Sequence, residues 1–135
     1  MRIAALDVGE RRIGVAVSDE LGMTVRRVAT VQRVGGRRDL DALARVLAPL
    51  APARVVVGLP LNMDGSEGRQ AARVRAFAER LGPHVGLPVE LWDERLTSWE
   101  AESRLRAEGV PPSRWREVVD QEAAVIILES YLARA

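Results

Sequence analysis

Residues 1–19, MRIAALDVGERRIGVAVSD, hold two apolar runs joined by a polar turn. The first run, Ile3 to Leu6, ends on Asp7. Val8-Gly9 and a charged turn, Glu10-Arg11-Arg12, lead into the second run, Ile13 to Val17, which closes on Ser18-Asp19. Two short β-type runs around a Gly-containing turn predict a hairpin. Asp7 is the anomaly in that hairpin, a carboxylate at the end of a strand that should be buried. An ionised carboxylate in an apolar interior is strongly unfavourable unless something compensates it, and an arginine or a metal ion are the usual compensations.

Outward from the hairpin, Met23 to Gln32 is rich in β-branched residues and reads as a third strand, with arginines that suit an exposed edge. After Gly35-Gly36, Asp39 is placed to cap a helix carrying Leu40, Leu43, Ala44 and Leu47 at i, i+3, i+4, i+7, with Pro49 ending it. Arg54 to Leu59 is a continuous apolar run of the kind buried on both faces of a parallel sheet. Pro60 to Gly68 is polar loop. A helix from about Arg69 to Leu81 follows, with Gly82-Pro83 as its stop and His84 in the loop beyond. Pro88 to Trp92 reads as a short strand leading into Asp93-Glu94-Arg95-Leu96-Thr97. Ser98 is placed to cap a helix through about Glu108, and a last helix covers roughly Trp115 to Ala133. The order β-β-β-α-β-α-β-α-α predicts one α/β domain over 1–135, a five-stranded mixed sheet with helices on both faces. Sites in such sheets form beyond the carboxyl ends of strands, where Asp7, Pro60-Leu61-Asn62 and Asp93-Glu94 all fall.

Composition narrows the function classes. The chain has 135 residues, no cysteine and one histidine, which removes disulfides, thiolate metal sites and cysteine nucleophiles and leaves no basis for a His-centred zinc site or triad. No apolar run approaches a membrane span and Asp7 interrupts any signal-peptide core, so a cytoplasmic protein without a membrane partner is expected. All 20 basic residues are arginine against 19 acids. Five of them (Arg26, Arg27, Arg33, Arg37, Arg38) lie between Val25 and Arg38 with no acid among them. Arginine is the better fork for phosphate, although an all-arginine set also reflects codon bias.

The final helix supplies a third acid. At about 100° per residue, Ala124, Ile127 and Tyr131 fall close to Asp120, whereas Glu122 and Glu129 fall opposite. Asp120 thus belongs to the stripe that should face the sheet. Asp7, Asp93 or Glu94, and Asp120 could then gather into one cluster. Two such charges at about 4 Å repel by about 4 kcal/mol at an effective dielectric of 20, so a counter-ion is required. Oxygen-only ligands suit Mg²⁺ or Mn²⁺, ions that can activate water for phosphodiester displacement. The alternative gives each acid its own explanation: Asp7 paired with Arg11 or Arg12, Asp120 capping its helix, and Glu94 paired with a neighbour.

Other segments carry weaker signals. Asp7-Val8-Gly9 before a hairpin also resembles the phosphate-binding hairpin of the actin/sugar-kinase class of ATPases, but those bind nucleotide between two such domains and only one hairpin of this form exists here. The loop PLNMDGSEGR, with Asn62 and Arg69, could cradle a phosphate at a helix N-terminus, though it lacks the P-loop lysine. Trp115 between Arg114 and Arg116 offers a stacking ring with phosphate contacts, or simply a packed tryptophan at a helix start. Trp92 and Trp99 read as core.

Four segments in this order and spacing, DVGERRIGVAVSD, VVVGLPLNMDGSEG, DERLTS and VDQEAAVIILESYL, resemble the YqgF/RuvX-type family. Its members are described as Holliday-junction resolvases and as pre-16S ribosomal RNA nucleases. The resemblance spans essentially the whole chain. It implies a ribonuclease-H-like fold and divalent-metal-dependent phosphodiester hydrolysis, with Asp7, Glu94 and Asp120 as the acidic positions and Asp93 as a further one. A strand alternates faces, so one of Asp93 and Glu94 should point at the metal. The leading expectation is a metal-dependent endonuclease acting on structured RNA or branched DNA, with Arg11, Arg12, Arg95, Arg114 and Arg116 holding phosphates. A junction resolvase needs two symmetric cuts, hence a two-fold homodimer. The alternatives are a nucleotide-binding ATPase-like domain and a non-catalytic RNA-binding ribosome-assembly factor.

Overall fold

The computed structural model describes residues 1–134; the side chains of Ser98, Trp99, Glu100, Glu117, Val119, Asp120 and Gln121 lie outside the described residues. Strands β1 (Ile3–Val8), β2 (Arg12–Ser18) and β3 (Val25–Gln32) form an antiparallel meander. On the other side of β1, β4 (Arg54–Leu59) and then β5 (Val89–Asp93) add in parallel, giving the order β3-β2-β1-β4-β5. The helices are α1 (Arg37–Leu47), α2 (Arg69–Val85), α3 (Glu94–Ala107) and α4 (Trp115–Arg134). The expected mixed α/β sheet is therefore the one observed.

The two faces of the sheet pack on different helices, with residues assigned to each by the period-two alternation of strands. Ala4, Leu6 and Val8 of β1 and Val55, Val57 and Leu59 of β4 point to one face. There they pack on Leu40, Leu43 and Leu47 of α1 and Val74, Phe77 and Leu81 of α2. Each fully buried leucine of this layer contributes roughly 2 kcal/mol of transfer free energy. On the other face Ala5 and Val56 meet Ile127, Leu128 and Tyr131 of α4. That helix crosses β1, β2, β3 and β4, and α3 packs on its outer side. Among the described residues no helix is long and apolar enough to cross a membrane.

Several local expectations are corrected. Asp39 does not cap α1, which starts earlier, at Arg37, after Gly36, a position at φ 61° that suits glycine. Asp39 is instead buried in the first turn. Its carboxylate accepts from the Val34 amide at 2.9 Å, the Gly35 amide at 3.2 Å and Arg33 Nε at 3.2 Å, fastening β3 to α1. Gly82-Pro83 does not stop α2. Pro83 sits in the last turn, where its missing N–H removes one bond, and the helix ends at Gly86 in the left-handed region. His84 is accordingly helical, its Nε2 2.8 Å from Asp41 Oδ1 of α1. The cap of α3 is Asp93 rather than Ser98, because the helix begins at once after β5 and the Asp93 side chain accepts from the Arg95 amide.

Tryptophans behave as packed residues where they are described. Trp92 donates from Nε1 to Ser130 Oγ at 3.1 Å and meets Tyr131 edge-on, while Trp115 donates to the Val110 carbonyl at 2.8 Å beneath Arg106. Trp99 lies outside the described residues.

Candidate functional site

Because β1, β4 and β5 are parallel and adjacent, their carboxyl ends share one edge of the sheet. That edge carries Asp7, the loop after Leu59, and Asp93-Glu94. Asp7 pairs with Gly14 of β2, and one residue beyond the Leu6–Val57 pair the register sets Gly58 of β4 on its other side. Alternation from Ala5 puts Asp7 on the α4 face. The carboxylate thus stands between two glycines, on a patch where the flanking strands contribute no side chain.

Glu94 fills part of that patch. A Cβ on Gly58 would lie 2.5 Å from Glu94 Oε1 and 2.6 Å from Ile127 Cδ1, so the glycine is what admits the carboxyl group between sheet and α4. Burial pushes the Glu94 carboxyl up to about 7, with the negative charges of Asp7 and then Asp93 adding to it. Asp93 behaves oppositely. It pairs with Leu59 in register and so belongs to the other face. Its carboxylate is gripped by Arg95 Nε at 3.1 Å and by the second guanidinium nitrogen at 2.7 Å. The Arg95 hydrogen bonds hold it below the usual carboxylate range against the opposing effect of burial. Of the two neighbours, Glu94 is the one in electrostatic reach of Asp7 with its charge unrelieved by this arginine.

Asp120 lies outside the described residues, so the structure reports on its surroundings only. Ala124, Ile127 and Tyr131 are buried, as the helical wheel requires, while Glu122 and Glu129 are exposed and bonded to Arg104 of α3 at 3.2 and 2.7 Å. Glu122 departs from helical geometry, with φ −116° and ψ 16°. The wheel therefore does not run unbroken from Asp120 to Ala124.

The donor set fits a hard divalent cation: carboxylate oxygens without sulfur or imidazole, two of them close enough to raise the pKa of one. Among the described residues no group of three His, Cys, Asp or Glu side chains gathers as a metal site. Asp7 and Glu94 are the two acids whose charges are in reach of one another.

A groove of about 1140 Å³ opens from Asp7 across β2 towards β3, lined by Arg11, Arg12, Arg27, Thr30 and Arg116 among others. Of the arginines expected to hold phosphate, the fold brings Arg11, Arg12 and Arg116 together here. Arg114 is exposed on the turn before α4, outside the groove lining. Arg95 has other contacts: besides Asp93 it donates to the Met63 carbonyl at 3.2 Å, latching the 60–68 loop to the start of α3. Asn62 closes that loop on itself through Ser66 Oγ at 3.0 Å, and Arg69 is exposed in the first turn of α2. The sequence pattern marks Arg27 only as one of five arginines in an acid-free run and does not mark Thr30. Strict alternation would set them on opposite faces, but β3 bulges at Val28: Val15 pairs with Ala29 and Ala16 with Arg27.

A family model described as "RuvX: Holliday junction resolvase" matches residues 1–134. The chain belongs to the RuvX family. A relative from Anaeromyxobacter dehalogenans (strain 2CP-C), provisionally named a pre-16S rRNA nuclease, is 54% identical over 134 residues, covering 99% of this chain and 98% of its own. In fold, the chain resembles Thermus thermophilus RuvC solved with a Holliday-junction substrate. The TM-score is 0.62 at 17% identity, covering 96% of this chain and 92% of that one. A sucrose-bound ROK-family protein from Streptococcus pneumoniae matches with a TM-score of 0.54 at 18% identity, covering 76% of this chain and 37% of that one. The fold is thus shared with larger proteins of other kinds, whereas the RuvX family match spans the chain. The family description and the relative's name both denote nucleases, so the chain is assigned to the hydrolases as a nuclease.

Proposed function

We propose that this RuvX-family protein is a divalent-metal-dependent endonuclease that hydrolyses phosphodiester bonds in structured nucleic acid, and that it works in the cytoplasm. The observation that carries the reading is Glu94: a carboxyl group seated over Gly58 and pushed up to about 7 beside Asp7, which itself lines an arginine-rich groove. Asp7, Glu94 and Asp120 are the residues to hold Mg²⁺ or Mn²⁺, and Asp93 orients Glu94 from the start of α3. The bound ion supplies Lewis-acid activation of water and charge neutralisation at the phosphate. Asp7 and Glu94 would hold that ion over the glycine patch, where the Asp7 charge already raises the Glu94 pKa. Arg11, Arg12 and Arg116 neutralise the backbone entering the groove, a salt-sensitive and sequence-independent contribution.

The name of the half-identical relative favours the 5′ end of precursor 16S ribosomal RNA as substrate. The family description favours a second reading, resolution of four-way DNA junctions, which would require a two-fold dimer. The deciding experiment incubates wild type and Asp7→Asn with Mg²⁺ or Mn²⁺ on a precursor 16S leader RNA and on a synthetic four-way junction. Cleavage of the leader alone, abolished by the substitution, is the expected result. Cleavage of the junction alone would transfer the activity to the second reading. Absence of both activities, or full activity in Asp7→Asn, would sink the nuclease mechanism and leave a non-catalytic RNA-binding role or a nucleotide-binding role.

A further inference from the structure

The groove reaches well past the acids, and its far wall has a composition of its own. Through the bulge at Val28, Arg27 and Thr30 share the α4 face with Arg12, Gly14 and Ala16 of β2, because Arg12 pairs with Gln32, Gly14 with Thr30 and Ala16 with Arg27. Neighbouring strands lie about 4.8 Å apart, so Thr30, two strands from Asp7, stands roughly 10 Å from the acid site. A group at that distance cannot touch a phosphate reacting at the Asp7–Glu94 site. At Gly14 the helix comes close to the sheet: a Cβ there would lie 3.6 Å from the Ala124 Cβ of α4, an ordinary contact.

Charge along the groove is uneven. Its acids other than Asp7 are directed elsewhere, Glu10 to Arg73 at 3.9 Å and Glu122 to Arg104 at 3.2 Å. Among the described residues neither Arg12 nor Arg116 has an ion-pair partner. No aromatic side chain lines the groove among the described residues, so base stacking has no platform there. The lining holds four guanidinium groups, Arg11, Arg12, Arg27 and Arg116, and two hydroxyls, Thr30 and Ser113, a set that recognises phosphodiester oxygens rather than bases.

We propose that the bulged β3 edge, with Arg27 and Thr30 facing Arg12 and Arg116, binds the sugar-phosphate backbone flanking the scissile phosphate. This rests on the nuclease reading of the Asp7–Glu94 site. Arg27 and Thr30 hold phosphates beyond the reacting one, so they set affinity and the length of substrate required rather than the chemical step.

The test uses the full chain in two forms. Asp7→Asn protein is titrated with fluorescein-labelled single-stranded RNA, single-stranded DNA of the same sequence, and a four-way junction, from about 50 to 300 mM salt. Arg27→Gln, placed in the same background, is expected to weaken binding several-fold and to reduce the slope of log Kd against log salt by about 0.7 to 0.9, one phosphate contact. Thr30→Val should weaken binding less and leave the slope unchanged, since a hydroxyl releases no counter-ion. In the active protein Arg27→Gln should raise KM several-fold with the loss concentrated there rather than in kcat. Arg38→Gln, at another exposed arginine, on α1, controls for net charge and should change neither quantity. The proposal is overturned if Arg27→Gln binds with the parent affinity and salt slope, or if Arg38→Gln loses as much. Failure of the parent protein to bind any of the three ligands would overturn the nuclease reading as well. Binding lost on Arg27→Gln without cleavage by wild type would support the track while removing that reading.

Discussion

The buried carboxyl of Glu94 makes a quantitative demand on the pH dependence of stability in the absence of divalent metal. Its folded-state pKa lies near 7 against an ordinary 4.5, so between those values the folded chain keeps a proton that the unfolded chain has lost. Stability contributed by this group is therefore complete below pH 4.5, falls as pH rises, and levels off above 7. The displacement of about 2.5 pK units corresponds to about 3 kcal/mol, a large share of the stability of a domain of this size. Glu94→Gln keeps the shape of the neutral acid and cannot ionise. The substituted protein should accordingly match wild type at about pH 4.5 and exceed it by about 3 kcal/mol at pH 8, roughly a 10 °C difference in Tm.

Urea unfolding followed by tryptophan fluorescence, in EDTA at several pH values, measures this directly. Comparing the two proteins at each pH removes the titration of groups they share. Asp7→Asn should flatten the wild-type pH profile in part, because the Asp7 charge is the second cause of the Glu94 shift after burial. Saturating Mn²⁺ at pH 8 should restore wild type, by about 2.7 kcal/mol at a hundredfold excess over Kd, and should help Glu94→Gln much less. A difference between wild type and Glu94→Gln that stays constant over this pH range would refute both the burial of this charge and its place in the acid cluster.

Three further outcomes follow from single contacts. Gly58→Ala forces a Cβ within 2.6 Å of Glu94 Oε1 and Ile127 Cδ1 and should cost about 2 kcal/mol and nearly all cleavage, whereas Gly14→Ala meets Ala124 at 3.6 Å and should be mild; denaturant titration and an activity assay separate them. Asp39→Asn should cost about 2 kcal/mol at pH 7 by urea unfolding. Burial opposes its charge but the hydrogen bonds from Val34, Arg33 and Gly35 outweigh it, so the folded pKa is below 3.8 and the difference shrinks only in more acid solution. Arg95→Ala removes the ties to Asp93 and the Met63 carbonyl; amide exchange across residues 62–66 should accelerate while exchange in β1 and β4 stays unchanged, and equal acceleration everywhere would contradict a local latch.

Fold class was legible because hydrophobic pattern decides it. Two β runs around a Gly turn, then apolar runs alternating with amphipathic helices, permit few topologies, and the sheet realises one of them. The errors share a cause: each depends on backbone conformation at a single residue. Asp39 has the identity of a cap, but Gly36 with its positive φ starts the helix earlier and turns Asp39 inward. Pro83 has the identity of a stop, but so near the end of α2 it breaks only one bond. The face of Arg27 was hidden because alternation is exact only without a bulge, and nothing in VRRVATVQ marks Val28 as the extra residue. The choice between Asp93 and Glu94 hinged on where β5 stops, and it stops between them.

That boundary explains how one fold tolerates acids at its centre. Strand β1 lies between β2 and β4, so a carboxylate on it has no edge to escape to. The sheet accommodates Asp7 by deleting the side chains on both sides of it, at Gly14 and Gly58, and the second deletion also seats Glu94. Such a patch loses the apolar contacts that larger residues would make with α4, and it gathers like charges where solvation is poor. Neither cost helps folding. A sequence that carries both, while Val56 and Ala5 one turn of the pleat away pack normally on Ile127 and Leu128, has its destabilisation confined to the few residues facing the groove. Local sacrifice of stability at an edge where three parallel strands end is what supports the proposed role of these acids.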